Sequence, residues 1–280
     1  MSISNLAKTI LPRQLWPIAI WFYLKSYRVY FASYRLLFRP NARYVAVAEQ
    51  NYVTYFPPEW TSVSLESADT LVNLECDYKL DLHDIKYAYS AHTIEHLSND
   101  AARRLFKNLF DAMQIGGVLR VECPDLDMLL DDYKCVHDEN RKLTKLMLKE
   151  VERWDMPKDR GIYDQEHMKI LAAIVSYFDR KYNMPLPPLC SAEEFNEKIH
   201  TLSNSEFGEW AVSLLSAEQV LNSFEHRNWF NFHKLSTMLT EAGFSSVVKC
   251  EPGETRHKFR MNIDRKYRSW YSIYVEAIKN

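Results

Sequence analysis

A chain of 280 residues with 47% hydrophobic and 26% charged residues is long enough for one large α/β domain with insertions, and too rich in core-forming side chains to be disordered. Its net charge of -2 excludes a general electrostatic affinity for nucleic acid, so no nucleic-acid partner is expected. The five cysteines, Cys76, Cys123, Cys135, Cys190 and Cys250, are odd in number and form no CxxC pair, which fits a reduced, cytoplasmic compartment.

Residues 1–42 read as an N-terminal helical arm. Lys8, Arg13, Lys25, Arg28, Arg35 and Arg39 all precede the first acidic residue, Glu49. The apolar run Leu15–Leu24 is broken by Pro17 and reaches only half of the roughly 20 residues that span a bilayer, and no small-residue cleavage site follows. Neither a transmembrane helix nor a secretory signal is expected. Helical spacing over Ile18–Phe38 puts Lys25, Arg28, Arg35 and Arg39 on one stripe. Two readings follow: peripheral contact of residues 15–39 with the inner face of a membrane, or an aromatic side packed on the core.

From residue 43 the chain is expected to form a domain reaching residue 280. Arg43–Ala48 and Trp60–Glu66 suit buried strands joined across Pro57-Pro58, followed by a short strand at Leu71–Leu74 and another at Ile85–Ser90. Ser98 should cap a helix whose apolar spacing runs through Met113 to Gly116 as its C′ residue. Residues 126–215 read as a helical insertion or cap, with long helices over Lys142–Trp154 and His167–Tyr182. Asn231 should cap a late helix stopped by Gly243, with strands at Phe244–Cys250 and Tyr271–Ile278.

One stretch carries more specific information. Ala88-Tyr-Ser-Ala-His-Thr-Ile-Glu-His-Leu97 is followed by the Ser98 helix, the turn Gln114-Ile-Gly-Gly117, the apolar strand Val118–Cys123 and Pro124-Asp125. Later come His226-Arg-Asn-Trp-Phe-Asn-Phe, Glu241-Ala-Gly-Phe244, Asp264, Ser269 and Tyr274-Val-Glu-Ala277. In this order the segments resemble the Rossmann-type S-adenosylmethionine-dependent methyltransferases, in the branch often found with surface-polysaccharide genes. The resemblance covers about residues 43–126 and 216–279. It implies a mostly parallel seven-stranded α/β sheet flanked by helices, S-adenosyl-L-methionine as cofactor, and methyl transfer to a hydroxyl of a sugar or other small polar acceptor, in surface glycan biosynthesis.

The first glycine of the chain is Gly116, so the cofactor loop departs from the family pattern. The glycines of the family's Gly-x-Gly turn fall on Ala48 and Gln50, with Glu49 between them. Ala46 replaces the usual first-strand carboxylate, and the ribose-gripping acid is displaced from Ser64 to Glu66. Asp81-Leu82 match the adenine position, and Ser90 with His92 the strand end beside the methionine part. This loop opens two alternatives: a methyltransferase-like binding module without activity, and a transferase that uses another nucleotide-like ligand.

A neutral imidazole beside the sulfonium would serve as general base. His92 is the first candidate and His226 the second; each has a plain structural alternative, as a turn brace and as a loop-packing residue. If His92 is the base, its removal should lower turnover by about two orders of magnitude and leave folding intact. His92-Thr-Ile-Glu-His96 also spells HxxEH, but at a strand end rather than on a continuous helix, so no metal is assigned to it. There is no G-x-S-x-G for a serine hydrolase. Asp125 and Asp127 read as N-terminal caps of a helix in preference to ligand contacts.

Overall fold

The computed structural model describes residues 43–48, 60–65, 68–134, 166–175, 177–179, 184–186, 190–217, 220, 225–256, 264, 269 and 271–280. The arm, Glu49, Gln50, Glu66 and the helix expected over Lys142–Trp154 lie outside them. In chain order the strands are β1 (Tyr44–Val47), β2 (Trp60–Ser64), β3 (Thr70–Leu71), β4 (Ile85–Ala91), β5 (Met113–Pro124), β6 (Tyr177–Asp179), β7 (Met184–Leu186), β8 (Ser246–Cys250) and β9 (Ser272–Ile278). The helices are α1 (Asn99–Ala112), α2 (Leu126–Lys134), α3 (Glu166–Ile174), α4 (Ala192–Thr201), α5 (Asn204–Ser213) and α6 (Phe232–Ala242).

Seven strands form one sheet in the order β3-β2-β1-β4-β5-β9-β8. The pairings from β3 through β5 are parallel, while β9 runs antiparallel to both β5 and β8. The expected seven-stranded α/β sheet flanked by helices is therefore present, and it is mixed rather than mostly parallel because β9 is reversed. Strand order reverses between β1 and β4. Ligands of open α/β sheets sit at such a switch point, beyond the carboxyl ends of the strands.

Helices α1 and α6 cover one face. Ala101, Ala102, Leu105, Phe106, Leu109 and Ala112 of α1 share a core with Leu235, Met238 and Leu239 of α6 and with Val45, Val63, Ala88, Leu119, Val121 and Val275 from the strands. Complete burial of each large side chain contributes about 1.5–3 kcal/mol. The caps follow sequence chemistry: Ser98 accepts from the amide of Ala101, Asn231 accepts from the amide of Lys234, and Gly243 ends α6 in the left-handed region at φ 114°.

Several expected boundaries differ: β5 begins at Met113 rather than Val118 and takes in the expected turn Gln114–Gly117, β3 is Thr70–Leu71 rather than Leu71–Leu74, and two helices end early. Helix α1 stops at Ala112, before Gly116, because Lys279 reaches back from the end of the chain and donates to the carbonyls of Phe110 (2.7 Å) and Met113 (2.8 Å). A cation there satisfies the terminal carbonyls and the helix dipole, leaving no need for a glycine cap. The helix expected over His167–Tyr182 ends at Ile174, since Tyr177–Asp179 pairs antiparallel with Met184–Leu186.

A second apolar cluster joins Leu126, Leu129 and Leu130 of α2 to Met168, Leu171 and Ile174 of α3, Phe195 of α4, Phe207 of α5 and Trp229. Gly208 of α5 lies flat on the Trp229 ring, where a Cβ would stand 2.5 Å from Cδ2. The ring cannot easily withdraw, because its Nε1 donates to Glu209 (3.0 Å) and Lys234 Nζ sits 4.0 Å from its centroid. Gly208→Ala should therefore destabilise by about 1–3 kcal/mol despite the helix propensity gained. Urea unfolding measures this; a stabilised variant would show that the contact yields.

Candidate functional site

At the switch point the chain leaves both β1 and β4 in the left-handed region without glycine. Ala48 has φ 57° and His92 has φ 49°. An L side chain in this region costs roughly 1–2 kcal/mol, so the surrounding structure must hold both turns. It does so visibly: the Ala48 amide donates to Val63 O (2.7 Å) and the His92 amide to Glu122 O (2.8 Å). The Thr93 hydroxyl lies between the two strand ends, 3.4 Å from Val47 O and 3.3 Å from Ala91 O.

Val47 and Ser90 are register partners in adjacent strands, so Ala48, Ser90 and His92 come together. Ser90 is buried, and its hydroxyl has no hydrogen-bond partner among the described residues. Asp81 is exposed and Leu82 half-buried against the α1 core. Both precede the amino end of β4, the opposite end from Ser90 and His92, so this pair is not brought to the turn.

The His92 imidazole is enclosed. Nδ1 donates to Glu95 Oε1 at 3.0 Å, while Nε2 lies 3.0 Å from the Ser272 hydroxyl and 3.3 Å from Glu122 Oε1. Its side chain is 2% exposed, like that of Glu95, and Glu122 is at 0%. Tyr89 donates to Glu122 Oε2 at 2.8 Å, with the Tyr274 hydroxyl 3.4 Å from Oε1. With an imidazole wedged between two buried carboxylates, its removal should cost stability, where the sequence alone leads to the expectation that folding stays intact.

Burial works to raise the Glu95 carboxyl, but the His92 hydrogen bond and the neighbouring imidazole charges outweigh it and hold it at about 2, below its ordinary 4.5. A depressed folded value means that this contribution to stability is complete above pH 4.5 and is lost as pH falls toward about 2. Acid unfolding monitored by circular dichroism should show this window for the wild type and lose part of it in Glu95→Gln.

His226 stands across from this group. Its Nδ1 donates to Ala173 O at 3.2 Å, its Nε2 lies 4.0 Å from Glu95 Oε1, and its ring meets that of His96 edge-on at 4.8 Å. Burial and then the His96 charge push its imidazolium down to about 3, so the ring is neutral near pH 7. The segment is fastened to the turn after β4: the Arg227 and Asn228 amides donate to Glu95 O, and Arg227 Nε to His96 O at 2.7 Å.

Asp125 and Asp127 are structural. Asp125 accepts from the Asp127 amide and pairs with Lys249 (3.1 Å), while Asp127 accepts from the side-chain amides of Asn204 and Asn231. Sequence reasoning missed Glu122, Ser272 and Tyr89. The signal for Glu122 was a carboxylate inside an otherwise apolar strand, where a buried charge demands partners.

No protein-family model matches the chain, and no curated protein matches it. Among solved structures, a Clostridium acetobutylicum S-adenosylmethionine-dependent methyltransferase aligns at 9% identity and TM-score 0.38, over 84% of this chain and 82% of its own. One from Mesorhizobium loti aligns at 12% identity and TM-score 0.37, over 85% and 93%. The methyltransferase SibL aligns at 12% identity and TM-score 0.37, over 87% of this chain; the chain spans about half, 53%, of SibL. Superpositions this loose carry no argument about activity.

Proposed function

We propose that the chain is an S-adenosylmethionine-dependent methyltransferase that holds its cofactor across the carboxyl ends of β1 and β4. Its acceptor would be a hydroxyl of a sugar or other small polar molecule, as in surface glycan biosynthesis. The observation that carries this reading is Ala48, which keeps the left-handed turn at the end of β1 (φ 57°) without a glycine. That turn lets the backbone approach a ligand at the switch point. The Ser90 hydroxyl adds a buried group in want of a partner.

When bound, the cofactor would supply an electrophilic sulfonium methyl for the acceptor hydroxyl, whose proton would pass to solvent water, while Ala48 and Ser90 would line the strand ends that hold it. In this reading His92 is a positioning residue, since both its ring nitrogens already hold internal partners. For it to take the proton, Ser272 and Glu122 would have to give way.

Calorimetric titration with S-adenosylhomocysteine tests the proposal. The expected result is binding weaker than micromolar, because Ala48 and Gln50 carry side chains where glycine would let the backbone close on the ligand, and several-fold tightening in Ala48→Gly. Absence of binding at millimolar ligand contradicts it. The sealed His92 ring also favours a second reading, a methyltransferase-like binding module, which binding without transfer to any sugar acceptor would select.

A further inference from the structure

We propose that Glu95, His96 and His226 form a binding site for a late first-row divalent cation, with zinc as its simplest occupant. The site lies beside the strand-end turn, joined to it by the His92–Glu95 hydrogen bond, and does not rest on methyl transfer. One donor atom from each of the three residues lies within 4.8 Å of the other two. They come from parts of the chain 130 positions apart, joined by backbone and side-chain hydrogen bonds from Arg227 and Asn228 to the carbonyls of Glu95, His96 and Leu97.

The imidazoles are oriented as metal ligands usually are. His96 donates Nδ1–H to Glu225 O at 2.9 Å, and His226 donates Nδ1–H to Ala173 O at 3.2 Å. A carbonyl can only accept, so each Nδ1 carries a proton, and in the neutral ring Nε2 then keeps the lone pair, the tautomer that such a carbonyl selects. The His226 Nε2 points toward Glu95, 4.0 Å from Oε1.

Glu95 supplies the independent sign of a missing partner. It is 1% exposed, Oε1 is engaged by His92, and Oε2 has no hydrogen-bond partner among the described residues. A buried carboxylate oxygen without a partner is costly. Moreover, two buried carboxylates, Glu95 and Glu122, share His92, whose ring even when protonated offsets only one of them. A cation at Oε2 would balance the second charge.

Two imidazole nitrogens and one carboxylate oxygen suit zinc and its first-row neighbours rather than magnesium or calcium. Three protein ligands leave a fourth position for water or a substrate oxygen. A small, largely apolar cleft bordered by Glu95, Pro124, Leu129, Ile174 and Trp229 adjoins the group. Ligands about 2.0–2.1 Å from a tetrahedral ion are roughly 3.3 Å apart, so closing the site requires the three side chains to draw in.

The experiment is calorimetric titration of the chelator-treated full chain with zinc chloride. The expected result is one equivalent bound, with affinity at least about ten-fold weaker in His96→Ala and in His226→Ala, and unchanged in His233→Ala, a control at an exposed position of α6. Absorption of the cobalt-loaded wild type should show the strong visible bands of a four-coordinate ion, a measurement that needs no variant to fold. No binding at stoichiometric metal, binding indifferent to His96 and His226, or the faint spectrum of six-coordinate cobalt overturns the proposal.

Discussion

Arg120→Met is expected to destabilise the protein by about 3–5 kcal/mol, the cost of leaving buried carboxylates without their cation. Arg120 is 1% exposed in the middle of β5, and its guanidinium serves five acceptors. Nε and Nη2 grip Asp264 at 2.7 and 2.6 Å, Nη1 reaches Glu276 at 3.1 Å, and the remaining protons go to the carbonyls of Glu251 and Glu254. Methionine fills much of the volume but leaves Asp264 and Glu276 facing each other. Since a domain has only about 5–15 kcal/mol in hand, most of the cooperative unfolding transition in urea should shift to low denaturant. Replacing the whole group, Arg120→Met with Asp264→Leu and Glu276→Leu, should recover much of the loss. A single variant within about 1 kcal/mol of wild type would mean that this clamp is solvated.

His92→Ala is expected to cost a similar amount, about 3–5 kcal/mol, for the same reason applied to Glu95 and Glu122. The substitution removes the imidazole that touches both carboxylates and keeps an L side chain in the left-handed region. His92→Asn should lose less, because asparagine tolerates that backbone and can still hydrogen-bond one carboxylate. Comparing the unfolding midpoints separates the two contributions. If Ala and Asn variants both match wild type, the His92 network is ornamental and the ring is available for other work.

The sheet was legible because its strands are short, apolar and β-branched, and because Ser98, Asn231 and Gly243 cap their helices by local chemistry. What escaped the sequence depends on partners far apart along the chain. Lys279 ends α1 from a distance of well over a hundred residues, and the strand pair that halts the helix after Ile174 is a tertiary contact. His92 was legible as a special residue, but not its enclosure, which needs Glu122 from β5 and Ser272 from β9. The HxxEH spelling would set His92 beside His96 only on a continuous helix, which the strand end argues against, and the fold sets His96 against His226. Charges inside apolar strands, Arg120 and Glu122, were the visible clue that a buried polar network had to exist.

Hydrogen exchange of the full chain with and without saturating S-adenosylhomocysteine would locate the cofactor proposed at the carboxyl ends of β1 and β4. Slower exchange is expected in peptides containing Val47–Ala48 and Ser90–Thr93, with β8 and the α4–α5 pair unchanged. Ligand-dependent protection confined to other regions, with these two turns exchanging as in the free protein, would contradict it.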